Sequence, residues 1–93
     1  MRILEIVDKT VRVIYLTRER WSHILLHDEM SRSLELIAET LRRPDRIIPS
    51  ENDDDVVYYF RYYKHQKQYL LVVVKYLNGE GFVVTGYFNR NLC

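Results

Sequence analysis

The sequence predicts an α+β fold: an N-terminal hairpin and two helices packed on a C-terminal antiparallel β-meander. Three observations predict it. Short Ile- and Val-rich stretches open the chain. The apolar spacing then takes the helical period between Thr17 and Arg43. Beyond Val56 it returns to β-branched and aromatic runs separated by turn residues.

Ile3 to Val7 and Val11 to Tyr15 flank the polar Asp8-Lys9-Thr10, which reads as two strands and their turn. Thr17 offers a capping hydroxyl ahead of Arg18-Glu19-Arg20, and Trp21, Ile24, Leu25 and Asp28 recur at helical spacing, so a first helix is expected over about 18–30. Ser31 to Ser33 form a break or second cap. Leu34, Ile37 and Leu41 then fall at i, i+3 and i+7, a second helix that Pro44 stops because its ring disfavours helical geometry at Arg43. Asp45 to Ser50 reads as a short extended piece, and Glu51 to Asp55 as a solvated acidic turn against which nothing packs. Val56–Tyr63, Tyr69–Leu77 and Phe82–Phe88 are strand-like, joined by 64–68 and by Asn78-Gly79-Glu80-Gly81. Leu70 to Val74 has no polar residue to mark an outward face, which places that strand centrally under the helices.

A chain of 93 residues is expected to form one domain over 1–93, because two cores of half that size would bury too little. With 47% apolar and 29% charged residues it is of ordinary globular composition, which excludes a disordered tail or a fibrous repeat. The net charge of +1 gives no global attraction to polyanions, so any such site must be local. The longest apolar run, Tyr69 to Val74, is far short of the roughly 20 residues of a membrane-spanning helix. Met1 and Arg2 are followed by alternation broken by Glu5 and Asp8 rather than by a leader's apolar block, so no membrane association and a cytoplasmic location are expected. Cys93 is the single cysteine, which leaves no disulfide or cysteine-based metal framework.

The charges are unevenly placed. From Val56 onward Arg61, Lys64, Lys67, Lys75 and Arg90 face Glu80 alone, and seven of the eight tyrosines lie in the same stretch. Cations hold phosphates and unpaired bases stack on aromatic rings, so this half suits single-stranded nucleic acid. The same composition also serves a plain sheet, where tyrosine is a good strand former and exposed lysine deters edge pairing. Alternation along the last strand sorts Phe82, Val84, Gly86 and Phe88 onto an expected core face, and Val83, Thr85, Tyr87 and Asn89 onto the other. A register that sets Lys75 beside Thr85 would form a phosphate grip.

His23 and His27 are four residues apart on one helical stripe. That spacing suits zinc, yet a zincin needs Glu directly after the first histidine, where Ile24 stands, and no third ligand is evident. Either imidazole, with an ordinary pKa of about 6.5, suits acid–base work near neutrality instead. The chain has no glycine-rich phosphate loop, nucleophile elbow, paired-cysteine site or dinucleotide fingerprint, and no cofactor is expected.

Taken together, Tyr15-Leu16-Thr17, Trp21, His23-Ile24, His27 and Glu29, Thr40-Leu41 with Pro44-Asp45 and Ile48, the Leu71–Lys75 strand, and Val83-Val84-Thr85-Gly86-Tyr87 resemble the phage-type nuclease-like domains grouped with barnase, EndoU, colicin nucleases and RelE toxins. The resemblance spans about Val13 to Asn89. It departs from the family pattern at Asp28, where proline is expected, and at Gly86, where alanine is usual. It implies a small α+β fold and metal-independent RNA cleavage through attack of the ribose 2′-hydroxyl on the neighbouring phosphate. His27 would be the acid or base with His23 the weaker candidate, Lys75 would balance phosphate charge, and Thr85 would hold the phosphate or nucleophile. Arg61, Tyr59 and Tyr87 would line the strand path. A toxin module of a phage or mobile element is the implied setting, with a protein antitoxin as possible partner. The alternatives are a non-catalytic module of the same fold that binds single-stranded nucleic acid or protein, and a homodimer formed through exposed tyrosines.

Overall fold

A computed structural model describes residues 1–26 and 33–92. Among the described residues eight elements follow in order: β1 (Arg2–Val7), β2 (Val13–Thr17), α1 (Arg18–Ile24), α2 (Leu34–Arg42), β3 (Arg46–Pro49), β4 (Val56–Tyr63), β5 (Gln68–Leu77) and β6 (Glu80–Asn89). All strands belong to one six-stranded sheet of order β1-β2-β6-β5-β4-β3. The class is the expected α+β. The expected hairpin and meander are both present, but they are not separate layers: β2 runs parallel to β6, pairing Ile14 with Gly81 and Tyr15 with Phe82. The short piece at Arg46–Pro49 extends the meander by a fourth antiparallel strand against β4.

Local chemistry accounts for the element ends. Thr17 caps α1, its hydroxyl oxygen accepting from the Arg20 amide at 3.2 Å. This helix closes at Ile24, short of the expected 18–30, and residues 27–32 lie outside those described. α2 ends at Arg42, and the Arg43 amide still bonds the Glu39 carbonyl before Pro44. Asn78 and Gly79 both adopt positive φ, the two-residue turn that matches the twist of β5 and β6. The strand therefore begins at Glu80, two residues before the expected Phe82.

Both helices cover one face. Ile24 of α1 and Ile37 and Leu41 of α2 are fully buried with Ile14, Leu16, Leu70, Val72, Val74 and Val83. One correction concerns β6. Val73 pairs with Thr85 but Val74 pairs with Val83, so Val84 is an extra residue at a β-bulge and the alternation resets there. Val83, not Phe82 or Val84, fills the core; Gly86 and Phe88 do so as expected, and Phe82 faces away. At Gly81 a Cβ would come within 2.7 Å of the Tyr76 ring, so only glycine lets that ring cross β6. A second correction concerns the acidic turn. The Asp55 carbonyl accepts from the Tyr76 amide at 2.8 Å and the Val56 carbonyl from the Ser50 amide at 2.9 Å, so the segment is pinned to the sheet.

Candidate functional site

The register defines two faces with different chemistry. On the face away from the helices, cross-strand rows run Val56–Lys75–Phe82, Tyr58–Val73–Thr85, Phe60–Leu71–Tyr87 and Tyr62–Tyr69–Asn89. Successive rows are about 7 Å apart, two residues along a strand. Tyr15 of β2 extends the first row, its ring centroid 6.0 Å from that of Phe82. Aromatic residues thus occur in every row of this face.

Lys75 and Thr85 are diagonal neighbours on this face. They stand on adjacent strands, in successive rows, with the Val84 bulge between them. The Lys75 Nζ is 3.6 Å from the Asp53 carboxylate, a half-exposed ion pair with too little geometry to lock the side chain. Tyr87 is one row further and half-buried, as Asn89 is beyond it. Next to these residues the sheet dips into a cleft of about 440 Å³, floored by Phe60 and Leu71 and walled by Tyr58, Tyr87 and the 50–52 segment. At the first row's outer end Arg2 donates to Glu5 at 2.8 Å and to Glu80 at 3.0 Å while its guanidinium sits 3.7 Å over the Tyr15 ring.

The remaining sequence candidates stand elsewhere. Tyr59 is fully buried on the helix-covered face, where its hydroxyl donates to the Asp8 carboxylate and contacts the Tyr76 hydroxyl, so it has no surface with which to line a strand path. Arg61 shares that face. Its guanidinium donates to the Arg43 carbonyl at 2.7 Å and lies 3.6 Å from Glu39, tying β4 to the end of α2. His23 is exposed on α1, whose Ile24 is packed among core residues of the covered face. The sheet therefore separates His23, Arg61 and Tyr59 from Lys75, Thr85 and Tyr87. His27 lies outside the described residues.

Sequence reasoning missed a second polar cluster. Asp8, 5% exposed, accepts at Oδ1 from the Thr10 and Arg12 amides at 3.0 and 2.9 Å and at Oδ2 from the Thr10 hydroxyl at 2.9 Å and from Tyr59. Burial, and after it the Asp8 carboxylate, pushes the Tyr59 phenol well above the usual tyrosine range; burial raises Tyr76 as well. Tyr63, half-buried against α2 and donating to Glu39 at 2.8 Å, is pushed up to about 12, chiefly by that burial. Asp8, Tyr59 and Tyr76 satisfy one another inside the fold and brace the hairpin turn to β4 and β5, while Tyr63 ties β4 to α2. Only the spacing of Asp8 before Thr10, an Asx-type turn signal, hinted at them. Among the described residues no group of three or more His, Cys, Asp or Glu could hold a metal ion, and no helix is long and apolar enough to cross a membrane.

No curated protein and no solved structure shows a significant match to this chain. A family model described as "phage-Barnase-EndoU-ColicinE5/D-RelE like nuclease2" matches residues 4–92, nearly every element from β1 to the end of β6. With that match extending over nearly the whole chain, the chain belongs to this phage-type nuclease-like family.

Proposed function

We propose that this chain is an RNA endonuclease of the toxin-like kind that works without a metal ion, with its phosphodiester site on the helix-free face of the sheet. The observation that supports it best is the shared face of Lys75, Thr85 and Tyr87 amid rows of aromatic rings. In this reading the ribose 2′-hydroxyl attacks the adjacent phosphorus, the bond to the 5′-oxygen breaks, and a 2′,3′-cyclic phosphate forms. Lys75 balances the charge that builds on the phosphoryl oxygens, and Thr85 donates its hydroxyl to one of them. His27 takes or gives the proton, while His23, on the other side of the sheet from Lys75 and Thr85, takes no part. Tyr87 offers a stacking face beside the scissile group.

The test is incubation of the purified protein with single-stranded RNA in excess chelator. The reading expects fragments ending in cyclic phosphate, no cleavage where the attacking ribose lacks its 2′-hydroxyl, and loss of cleavage in folded Lys75→Ala and His27→Ala proteins. Activity that disappears with chelator contradicts the assignment of roles. The aromatic rows also support a second reading, a module that binds single-stranded nucleic acid without cutting it. That reading expects salt-dependent binding and intact RNA after prolonged incubation.

A further inference from the structure

The cleft beside Lys75 and Thr85 differs in chemistry from a phosphate site. Its floor is apolar, Phe60 and Leu71 being 3% and 6% exposed although they face away from the helices. Its walls include the phenol rings of Tyr58 and Tyr87, and its rim bears Glu51 and the Asn89 amide. A carboxylate at the rim repels a phosphate, while an apolar floor with aromatic walls suits a flat, neutral ring system. The Asn89 side chain has no hydrogen-bond partner among the described residues, so it retains both a donor and an acceptor for a ligand edge.

Position completes the argument. Tyr58 and Thr85 share the row of Val73, and Tyr87 follows in the next row. A phosphate held by Lys75 and Thr85 is therefore about one row, roughly 7 Å, from the mouth of the cleft. That is the separation at which one strand of nucleic acid sets a phosphate at one site and its own base at the other. We infer that the cleft is a base-binding subsite that takes one unpaired nucleobase, stacked against Tyr58 or Tyr87 and hydrogen-bonded through its edge by Asn89. This rests on the nucleic-acid reading of the same face and adds where a base is read. It makes the protein selective for single strands, because a paired base presents neither a free face nor a free edge.

The probes are a short oligoadenylate carrying 2′-O-methyl groups, which block cleavage, and a backbone of the same length and charge lacking its bases. The natural protein is expected to bind the first more tightly than the abasic strand by roughly 5- to 150-fold, the affinity of one stacked base. Asn89→Ala, at a half-exposed position, and Leu71→Trp, which fills the floor, are expected to narrow that ratio. Circular dichroism shows whether each variant is folded, and Tyr58→Ala substitutes for Leu71→Trp if the larger side chain unfolds the sheet. Equal binding of both strands, or an unchanged ratio in folded variants, overturns the subsite while leaving Lys75-dependent cleavage intact. Failure of the natural protein to bind either strand overturns the subsite together with the reading on which it rests.

Discussion

The two faces of the sheet are built from the same strands and differ in chemistry. On the covered face, Leu70, Val72, Val74 and Val83 are sealed under α1 and α2, and the buried Asp8 is matched by Thr10, Arg12 and Tyr59, while the buried Arg61 Nε has only the Glu39 carboxylate at 3.6 Å. On the helix-free face, Tyr58, Thr85 and Asn89 have side-chain polar atoms with no hydrogen-bond partner among the described residues, and Lys75 has only a 3.6 Å ion pair. In the proposed reading the polar groups left open on the helix-free face are those that meet the ligand. The proposed function places stability and activity on different sides of one layer, and substitutions on the two sides should separate them.

The largest expected effects are a matched pair. Lys75→Ala should lower RNA cleavage by about 100- to 1000-fold, the loss typical of one group that stabilises developing charge. Its melting temperature should barely change, since a half-exposed ion pair contributes about 0–1 kcal/mol. Leu41→Ala, at a fully buried site, should cost about 2–5 kcal/mol of stability and leave the activity of each folded molecule unchanged. Thermal melts beside initial cleavage rates check both. A Lys75 variant that unfolds, or a Leu41 variant that stays folded but inactive, breaks the comparison.

Asp8→Ala comes next. It strips the acceptor from the Tyr59 hydroxyl and from the amides of Thr10 and Arg12, at about 1–3 kcal/mol for a buried group left unpaired, and urea unfolding should show the loss. Alkali acts on the same side of the sheet. Tyr63 is pushed up to about 12 from 10.0, and Tyr59 and Tyr76 are raised too. The unfolded chain then releases these phenolic protons first, so stability is whole below pH 10 and falls as pH climbs from 10 toward 12. Tyrosinate absorbance that rises together with loss of the circular dichroism signal would agree; free titration of all tyrosines near 10 in folded protein would not. The smallest effect belongs to Thr17→Ala, which removes the α1 cap at about 1 kcal/mol and should be seen only as a modest shift in melting temperature.

Much of this division could be read along the chain. The Val56–Tyr63 strand, the cap at Thr17 and the stop at Pro44 follow from local chemistry and stand where that chemistry puts them. So does the shared face of Thr85, Tyr87 and Asn89. What escaped depends on distant partners or on a single inserted residue. The bulge at Val84 exchanges Phe82 for Val83 in the core, and a run of Phe-Val-Val-Thr has no polar marker to reveal it. Val-Val-Tyr-Tyr-Phe-Arg-Tyr-Tyr in β4 is aromatic on both faces, so only the register shows that Tyr58 looks outward while Tyr59 is buried. The parallel β2–β6 pairing brings together residues almost seventy positions apart, and with it the Arg2–Glu80 contact.

The division is tested most directly by mapping where RNA lies. Titrating the isotopically labelled protein with the uncleavable 2′-O-methyl oligoadenylate and following backbone amide shifts should perturb Val73, Lys75, Thr85, Tyr87 and Asn89 together. The helix residues Leu36, Glu39 and Arg42 should stay unmoved. Shifts confined to α2 and the Arg42–Arg43 end, with the helix-free strands silent, would contradict the account.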